Sequence, residues 1–382
     1  MKILYDHQAF DMQYFGGVSN CFVKLIENLP DTCKYDIALK ESDNFHLKSS
    51  NLVLDFSPRR LNKDVFISRK VFWGRGFLYR TLTNLMPSLT STGVNRKNSI
   101  SFLKRGDFDI FHPTFFDDYF LPYLNQKPYV LTVHDMIPEL FFRKRDIQLR
   151  SKPRLIREAA HIIAVSEKTK DDLVSIMNVP KSKVTVIYHG SSGIYSMLKD
   201  NPIVDGDYIL YVGMRGGYKC WRQMLKCIAP VMGRHQNLRL VCTSQPFDNA
   251  ERSLINQLGL KGKVIHIHPS DTEMPNLYSN ALCFIYPSKY EGFGIPILEA
   301  YSAYCPVLLN HSSCFPEIAQ DAAIYFHMDE NNSDLEDVME QFLSMEEDER
   351  KLLIEKQCQR LKFFSWEQSA RKLVDVYSSV LS

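Results

Sequence analysis

The chain has 382 residues, of which 45% are hydrophobic and 24% are charged, and its formal net charge is +2. This length and composition fit an enzyme that buries sizeable cores, and the length favours two domains over one. The small net charge excludes a strong global electrostatic field, although local basic patches are compatible with it.

The N-terminal sequence MKILYDHQAF predicts a first strand rather than a secretory signal, because only a short apolar run precedes Asp6 and His7. No window approaches the ~20 uninterrupted apolar residues of a membrane-spanning helix. The nine cysteines are scattered, with no CxxC pair and no histidine cluster at zinc spacing. We therefore expect a cytoplasmic protein with reduced thiols, whose contact with a membrane would be peripheral and on the inner face.

Short apolar runs alternate with helix-length amphipathic stretches along both halves of the chain. Near-continuous apolar strands separated by helices predict parallel sheets that are covered on both faces. The first series of predicted strands is 2–5, 35–39, 109–111, 129–133, 161–165 and 184–188. The second is 208–212, 238–242, 264–267, 282–286, 307–309 and 324–326. The fold class is therefore α/β, with two doubly wound units in tandem.

The domain boundaries are predicted from composition. Residues 191–206 are rich in glycine, proline and polar residues and read as a linker between an N-terminal domain, 1–190, and a C-terminal domain, 207–364. Residues 365–382 begin with a capping box and read as an amphipathic helix that packs back toward the N-terminal domain.

A glycine-rich loop with two cations follows the first strand of the second series. The segment YVGMRGGYKCW at 211–221 places Arg215 and Lys219 among glycines, between a strand and a helix. Backbone donors, a helix N-terminus and two cations together can neutralise a diphosphate. Gly16 and Gly17 follow the first strand of the chain and predict similar backbone access from the opposite wall.

Two carboxylates flank a second glycine-rich turn. In YEGFGIPILE at 290–299, Glu291 is predicted on a loop at a strand end and Glu299 on the following helix. Gly292 and Gly294 would let the backbone approach a ligand closely. Without these glycines, a solvated loop acid and a helix-face acid would be the better interpretation.

These segments carry a family resemblance. YVGMRGGYKCW, then HPSDTEMPNLYSNA at 268–281 and YPSKYEGFGIPILEA at 286–300, resemble in order and spacing the retaining GT-B glycosyltransferases of family 4. The resemblance extends to the glycine pair at 16–17, to LTVHD at 131–135 and to the closing helix. It implies the GT-B fold, in which two Rossmann-like domains face each other across a cleft.

The resemblance also implies roles for single residues. In such enzymes the lysine matching Lys219, with a nearby arginine, binds the donor diphosphate. Many relatives carry that arginine directly after the glycine matching Gly213, where this chain has Met214, and Arg215 is the nearest substitute. The acid matching Glu299 holds the ribose hydroxyls.

The remaining roles concern the transferred sugar. The acid matching Glu291 contacts it, and we assign Glu291 to electrostatic and positioning work. His134 matches the histidine that approaches the donor sugar and the acceptor; a satisfied buried histidine is the alternative. The backbone beside the sugar and phosphates would be that of Gly292, Phe293 and Gly294.

We expect turnover without a metal or other cofactor, because fixed cations and backbone dipoles can stabilise the charge on the leaving nucleoside diphosphate. No DxD sequence occurs where a nucleotide-sugar metal site would need it; Asp117 and Asp118 are adjacent on a different loop. Retention can arise through a covalent nucleophile or by front-face attack, and the sequence does not choose between them.

Two segments are candidates for the acceptor side. The loop 111–123, with His112, Asp117, Asp118 and many aromatics, suits a saccharide, against the alternative of an aromatic packing cluster. Residues 59–80 carry seven cations among aromatic side chains and suit an anionic membrane surface or a lipid diphosphate, against the alternative of a solvated basic face. No recognition motif for nucleic acid accompanies these charges.

The residues and the family resemblance together predict a hexosyltransferase that acts from a nucleotide sugar on a saccharide or lipid-linked saccharide, with mannose from GDP-mannose as the first guess. The resemblance implies that it retains the anomeric configuration and serves surface polysaccharide synthesis. Loops near 243–247 and 268–271 would decide the base and sugar. The alternatives are a GT-B epimerase or phosphorylase, and an inactive subunit that only binds the nucleotide sugar.

Overall fold

The computed structural model describes residues 1–59, 74, 77–78, 81, 85–142, 148–191, 193, 202–270, 272–329 and 332–382. They divide into two compact units. The N-unit comprises Met1–Val165, Thr169–His189 and Trp366–Ser382, and the C-unit comprises Ser166–Lys168 and Gly190–Ser365. Within the described ranges, no helix combines the length and the apolarity that crossing a lipid bilayer requires.

Parallel strands form the centre of each unit. The N-unit strands are β1 (Lys2–Tyr5), β2 (Lys34–Ile37), β3 (Ile110–His112), β4 (Val130–Val133), β5 (His161–Ala164) and β6 (Val184–Val186). The C-unit strands are β7 (Tyr208–Tyr211), β8 (Arg239–Cys242), β9 (Val264–His266), β10 (Cys283–Tyr286), β11 (Val307–Asn310) and β12 (Ile324–Phe326). All twelve predicted strands are therefore present, each within two residues of its expected bounds.

Helices separate most of the strands. In the first half they are α1 (Gln8–Met12), α2 (Gly17–Glu27), α3 (Phe45–Lys48), α4 (Ser91–Arg105), α5 (Ile137–Phe141), α6 (Gln148–Glu158) and α7 (Glu167–Met177). In the second half they are α8 (Trp221–Arg234), α9 (Asn249–Gln257), α10 (Met274–Asn280), α11 (Ile295–Ser302), α12 (Phe315–Ala319), α13 (Leu335–Leu343), α14 (Glu347–Leu361) and α15 (Trp366–Leu381).

The N-unit has two three-stranded parallel sheets, in the orders β2-β1-β3 and β4-β5-β6. A parallel bridge between Phe111 and Tyr129 joins the edge of one to the start of the other. The terminal helix α15 belongs to this unit: Trp366, Leu373 and Tyr377 lie in the same hydrophobic core as residues of β1 and α2.

The C-unit has one six-stranded parallel sheet in the order β12-β11-β10-β7-β8-β9. The chain runs from β7 through β8 to β9 on one side, then crosses back to place β10 on the other side of β7. Ligands of open α/β sheets bind outside the carboxyl ends of the strands where the order reverses. In this unit the reversal lies between β7 and β10, so the loops after these two strands form the expected site.

Candidate active site

The loop after β7 carries the predicted cations. Gly213 has φ +111° and Gly217 has φ +55°, left-handed values that favour glycine, so the chain turns sharply before α8. Lys219 closes a short 3₁₀ turn over Gly217–Lys219, and the buried Trp221 then anchors the first turn of α8. The loop therefore presents Lys219 at the reversal point of the sheet.

Lys219 and Glu291 form an ion pair across this point. The Nζ atom of Lys219 lies 2.6 Å from Oε1 of Glu291, and the two side chains are 15% and 9% exposed. Tyr286, at the end of β10, is also next to this carboxylate: burial, and then the negative charge of Glu291, raise the pKa of the Tyr286 phenol well above its ordinary value. The structure thus brings a cation and an acid together from two loops 72 positions apart in sequence.

The loop that carries Glu291 is held by the loop after β11. The Ser313 hydroxyl donates to the Glu291 carbonyl at 2.8 Å and accepts from the Glu291 backbone N–H at 3.1 Å. The Cys314 thiol donates to the Phe293 carbonyl at 3.2 Å. On the other side, the Ser166 hydroxyl donates to the Gly292 carbonyl at 2.6 Å. These bonds hold the backbone of 291–293 in one conformation.

Gly294 begins helix α11 with φ +93°, and a β-carbon there would approach Ile297 Cδ1 to 3.1 Å. Conformation and space both favour glycine at this position. Helix α11 therefore starts directly beside the Glu291 loop with the positive end of its dipole, although in its first turn Pro296 has no N–H and the Ile297 N–H donates to the Gly294 carbonyl at 2.9 Å. On α11, Oε2 of Glu299 accepts a hydrogen bond from the Tyr278 hydroxyl at 3.0 Å.

Arg215 is placed differently from the prediction that it contacts a diphosphate. Its guanidinium is 7% exposed and donates to both carboxylate oxygens of Glu251, at 3.0 and 3.2 Å. It also donates to the carbonyls of Thr243 at 3.1 Å and Gln245 at 2.5 Å. These contacts tie the loop after β7 to the loop after β8 and to the first turn of α9, which is a structural role for Arg215.

In the N-unit, the predicted glycines begin helix α2. Gly16 is its N-cap, and a β-carbon there would collide with the side-chain amide of Gln13. That amide oxygen accepts from the Ser19 backbone N–H at 3.2 Å and so caps the helix. Gly16 thus makes room for the Gln13 cap, and the exposed Gly17 is the first helical residue.

His134 directly follows β4 and is stacked on His189, with ring centroids 5.9 Å apart and planes inclined by 15°. Burial, with a smaller contribution from Lys152, lowers the pKa of His134 to about 4. The ring is therefore neutral near pH 7. Its Nε2 atom is buried and has no hydrogen-bond partner. A buried, unsatisfied ring nitrogen is uncommon and is compatible with a ligand-binding role.

The acceptor-side predictions are partly corrected. His112 is fully buried and bonded at both ring nitrogens, Nδ1 to the Tyr377 hydroxyl at 2.5 Å and Nε2 to the Thr132 hydroxyl at 2.9 Å, so it cannot contact a saccharide. The side chains of Asp117 and Asp118 are 55% and 37% exposed. Most of the basic segment 59–80 lies outside the described residues. The side chain of its first cation, Arg59, is 8% exposed and lies 3.6 Å from Asp11.

The predicted residues thus fall into groups. Lys219 and Glu291 touch, residues 292–294 and Glu299 follow on the same loop and helix, and His134 and the glycine pair belong to the N-unit. Tyr278, Tyr286 and Ser313 support the site but were not predicted, because each meets its partner only through the fold. In the sequence, Tyr278 and Tyr286 stand among apolar residues and look like core residues, so their hydroxyl contacts could not be predicted.

Comparison with solved structures defines the fold class. The chain superposes on the crystal structure of HepE from Anabaena, solved in complex with UDP and glucose, with a TM-score of 0.72, 15% identity, and coverage of 99% of this chain and 100% of that one. Together with the two parallel-sheet units, this shows that the protein has the GT-B fold.

Two known protein families match this chain, one in each half of the sequence. Glycosyl transferases group 1 matches residues 197–359, and Glycosyltransferase Family 4 matches residues 15–191. The chain belongs to the family 4, group 1 glycosyltransferases.

Two curated relatives are similar over part of their length. The O-antigen chain mannosyltransferase RfbU of Salmonella typhimurium is 31% identical over 211 residues, covering 53% of this chain and 58% of RfbU. The O-antigen chain mannosyltransferase B of Escherichia coli is 24% identical over 283 residues, covering 68% of this chain and 72% of that protein. The match with RfbU thus spans less than two thirds of that relative.

Proposed function

We propose that the protein is a retaining hexosyltransferase that moves mannose from a nucleoside-diphosphate mannose to a saccharide or lipid-linked saccharide during surface polysaccharide synthesis. The ion pair between Lys219 and Glu291 carries this proposal, because it places a cation and an acid where the sheet order reverses. The names of the two O-antigen mannosyltransferase relatives support mannose and a polysaccharide product.

In this proposal the donor diphosphate replaces Glu291 as the partner of Lys219. The ammonium group and the positive end of the α11 dipole then stabilise the negative charge that grows on the leaving diphosphate. These positive groups are held in place before the reaction, so the proposed transfer needs no metal. The Glu299 carboxylate, oriented by Tyr278, accepts hydrogen bonds from the ribose hydroxyls.

The displaced Glu291 carboxylate accepts hydrogen bonds from the hydroxyls of the transferred sugar. This interaction orients the ring and favours the positive charge that develops at its anomeric carbon. In the N-unit, neutral His134 is proposed to contact a sugar through its Nε2 atom. Both routes to retention, through a covalent intermediate or by front-face attack, are compatible with these roles.

Ligand binding to the folded state raises its melting temperature by mass action, so a panel of UDP, GDP, ADP and TDP sugars identifies the donor. We expect one mannose-bearing donor to give the largest rise in the full chain. Its transfer to a lipid-linked saccharide, followed by NMR of the product anomeric proton, should show retained configuration with and without chelator. Binding of a donor without transfer or hydrolysis would instead indicate the inactive binding subunit.

Lys219→Ala should abolish the melting-temperature rise caused by the donor and lower kcat/KM by about 10²–10³-fold, because one fixed positive group is lost. Lys226→Ala is the matched control, since Lys226 is exposed on α8 in the same unit. Equal donor binding by the two variants would remove the basis of the proposed function.

A further inference from the structure

Three side chains with metal-binding atoms converge in the N-unit, outside the Lys219 and Glu291 pair. Cys21 lies on α2, His134 follows β4 and His189 follows β6, and the three ligand atoms all lie within 4.8 Å of one another. The prediction that no zinc-like cluster exists rested on sequence spacing. The fold joins Cys21 to two histidines that lie more than a hundred positions further along the sequence, which spacing could not reveal.

Two further observations point to a ligand at this place. A small cavity of about 10 Å³ is lined by Cys21, Thr132 and His189 together with apolar side chains such as Leu25, and His134 lies next to it rather than in its lining. A single small species fits such a volume. In addition, the Nε2 atom of His134 is buried and has no hydrogen-bond partner. A ligand that reached this nitrogen would satisfy it.

The ligand types of Cys21, His134 and His189 indicate which metal ion would bind. A thiolate and two imidazoles suit Zn²⁺, and hard cations such as Mg²⁺ prefer oxygen ligands. Zinc bonds of about 2.3 Å to sulfur and about 2.0–2.1 Å to nitrogen need the three atoms somewhat closer than 4.8 Å. Small side-chain rotations provide that change. Three protein ligands leave a fourth position open.

We infer that Cys21, His134 and His189 form a Zn²⁺ site, and that an ion bound there inhibits the protein by occupying His134. Binding replaces the thiol proton of Cys21 with the metal, and the proton leaves to solvent. The binding half of this inference stands on the geometry alone. The inhibitory half rests on the proposed function, in which His134 contacts a sugar.

Co²⁺ is the probe for binding, because its tetrahedral complexes with thiolates are coloured. With the full chain we expect one tight Co²⁺ and an absorption band from thiolate-to-metal charge transfer, both removed by added Zn²⁺. Cys21→Ser should abolish the charge-transfer band, and His189→Gln should weaken Co²⁺ binding by about tenfold or more. Cys227→Ser is the control, since it removes a partly exposed thiol of the C-unit.

The variants must first show a wild-type melting temperature and circular dichroism; Cys21→Ala replaces Cys21→Ser if the serine disturbs the core. A band that is absent from the wild type, or that persists in both Cys21→Ser and His189→Gln, would overturn the site. Because this readout does not use transfer activity, it is independent of the proposed function.

Inhibition is tested with Zn²⁺ in a transfer assay that contains a non-chelating reductant. Wild-type activity should fall as Zn²⁺ occupies the site and return on adding chelator, whereas Cys21→Ser should need at least about tenfold more Zn²⁺ for the same loss. Unchanged wild-type transfer at Zn²⁺ concentrations that displace bound Co²⁺ would refute the inhibitory half.

Discussion

At the scale of single residues, the charges of Lys219 and Glu291 compensate each other in an ion pair. Their separation is 2.6 Å, and both side chains are largely buried. Removing the acid therefore frees the lysine, whereas removing the lysine leaves a buried carboxylate without its cation. The two substitutions should have different effects on ligand binding, which allows their roles to be separated.

Glu291→Gln should lower the rate of sugar transfer by about 10²–10³-fold, because the amide cannot stabilise positive charge on the sugar. The affinity for the nucleoside diphosphate alone should be equal or higher, because Lys219 no longer has an internal partner. Calorimetric titration and single-turnover kinetics measure the two quantities. Glu355→Gln, at an exposed position of α14, is the control. Weaker diphosphate binding by Glu291→Gln would contradict this role.

Arg215 differs from Lys219 because its donors are already used inside the C-unit. Arg215→Lys keeps the charge but cannot reproduce the forked bond to Glu251, and it leaves backbone carbonyls with fewer donors. We expect the free energy of unfolding to fall by ~1–3 kcal/mol, as measured by urea denaturation. Arg222→Lys, at an exposed position on α8, should change it little. If Arg215→Lys were as stable as the wild type and had lost only diphosphate affinity, the prediction that Arg215 binds the diphosphate would stand.

At the scale of elements, the strand–loop–helix unit made by β10, the Glu291 loop and α11 depends on Gly294. The helix can begin there because glycine tolerates φ +93° and because a hydrogen in place of a side chain clears Ile297 and Phe315. Any change at this position is transmitted to Glu291 on one side and to the start of α11 on the other.

Gly294→Ala should cost ~1–3 kcal/mol of stability, because alanine is strained at this φ and its β-carbon would lie 3.1 Å from Ile297 Cδ1. Donor affinity should fall as well, since the loop must move. Gly233→Ala is the matched control: this glycine lies inside α8 with open space around it, and alanine there should stabilise by up to ~1 kcal/mol. Chemical denaturation with donor titration tests both, and equal stability of the two variants would refute the argument.

The strands and site loops could be predicted from sequence because their signals are local. Buried parallel strands appear as apolar runs, and the loops of Lys219 and Glu291 are marked by glycines at strand ends. The partners of Arg215 and His112 could not be predicted, because Glu251 and Tyr377 come from other elements and only packing brings them together. The same limit applies to the cluster of Cys21, His134 and His189.

At the scale of the whole molecule, the buried histidines are concentrated in the N-unit. Burial lowers the pKa of His112 to about 3, of His134 to about 4 and of His189 to about 3, with neighbouring charges adding to the shift. In the unfolded chain these groups titrate near 6.5. Between these values the unfolded chain binds more protons than the folded one, so stability rises with pH across this window.

We therefore expect the N-unit to lose stability as the pH falls from about 6.5 toward 4. Urea unfolding at pH 7 and pH 5 can be followed by Trp366 fluorescence in a variant that retains only this tryptophan. A second variant that retains only Trp221 reports the C-unit. The Trp366 midpoint should drop more than the Trp221 midpoint at pH 5. An unchanged Trp366 midpoint would contradict the lowered pKa values of these histidines.

The pairing of Lys219 with Glu291 also bears on selectivity among cellular anions. An internal carboxylate competes with every phosphate that reaches the ammonium group. Inorganic phosphate, or a nucleotide without a transferable sugar, can displace the Glu291 carboxylate from Lys219 but offers that carboxylate no hydroxyls of a transferred sugar in return. A sugar nucleotide supplies an anion for one partner and hydroxyls for the other at the same time. Under the proposed function, we therefore expect this salt bridge to favour a sugar nucleotide over abundant simple phosphates.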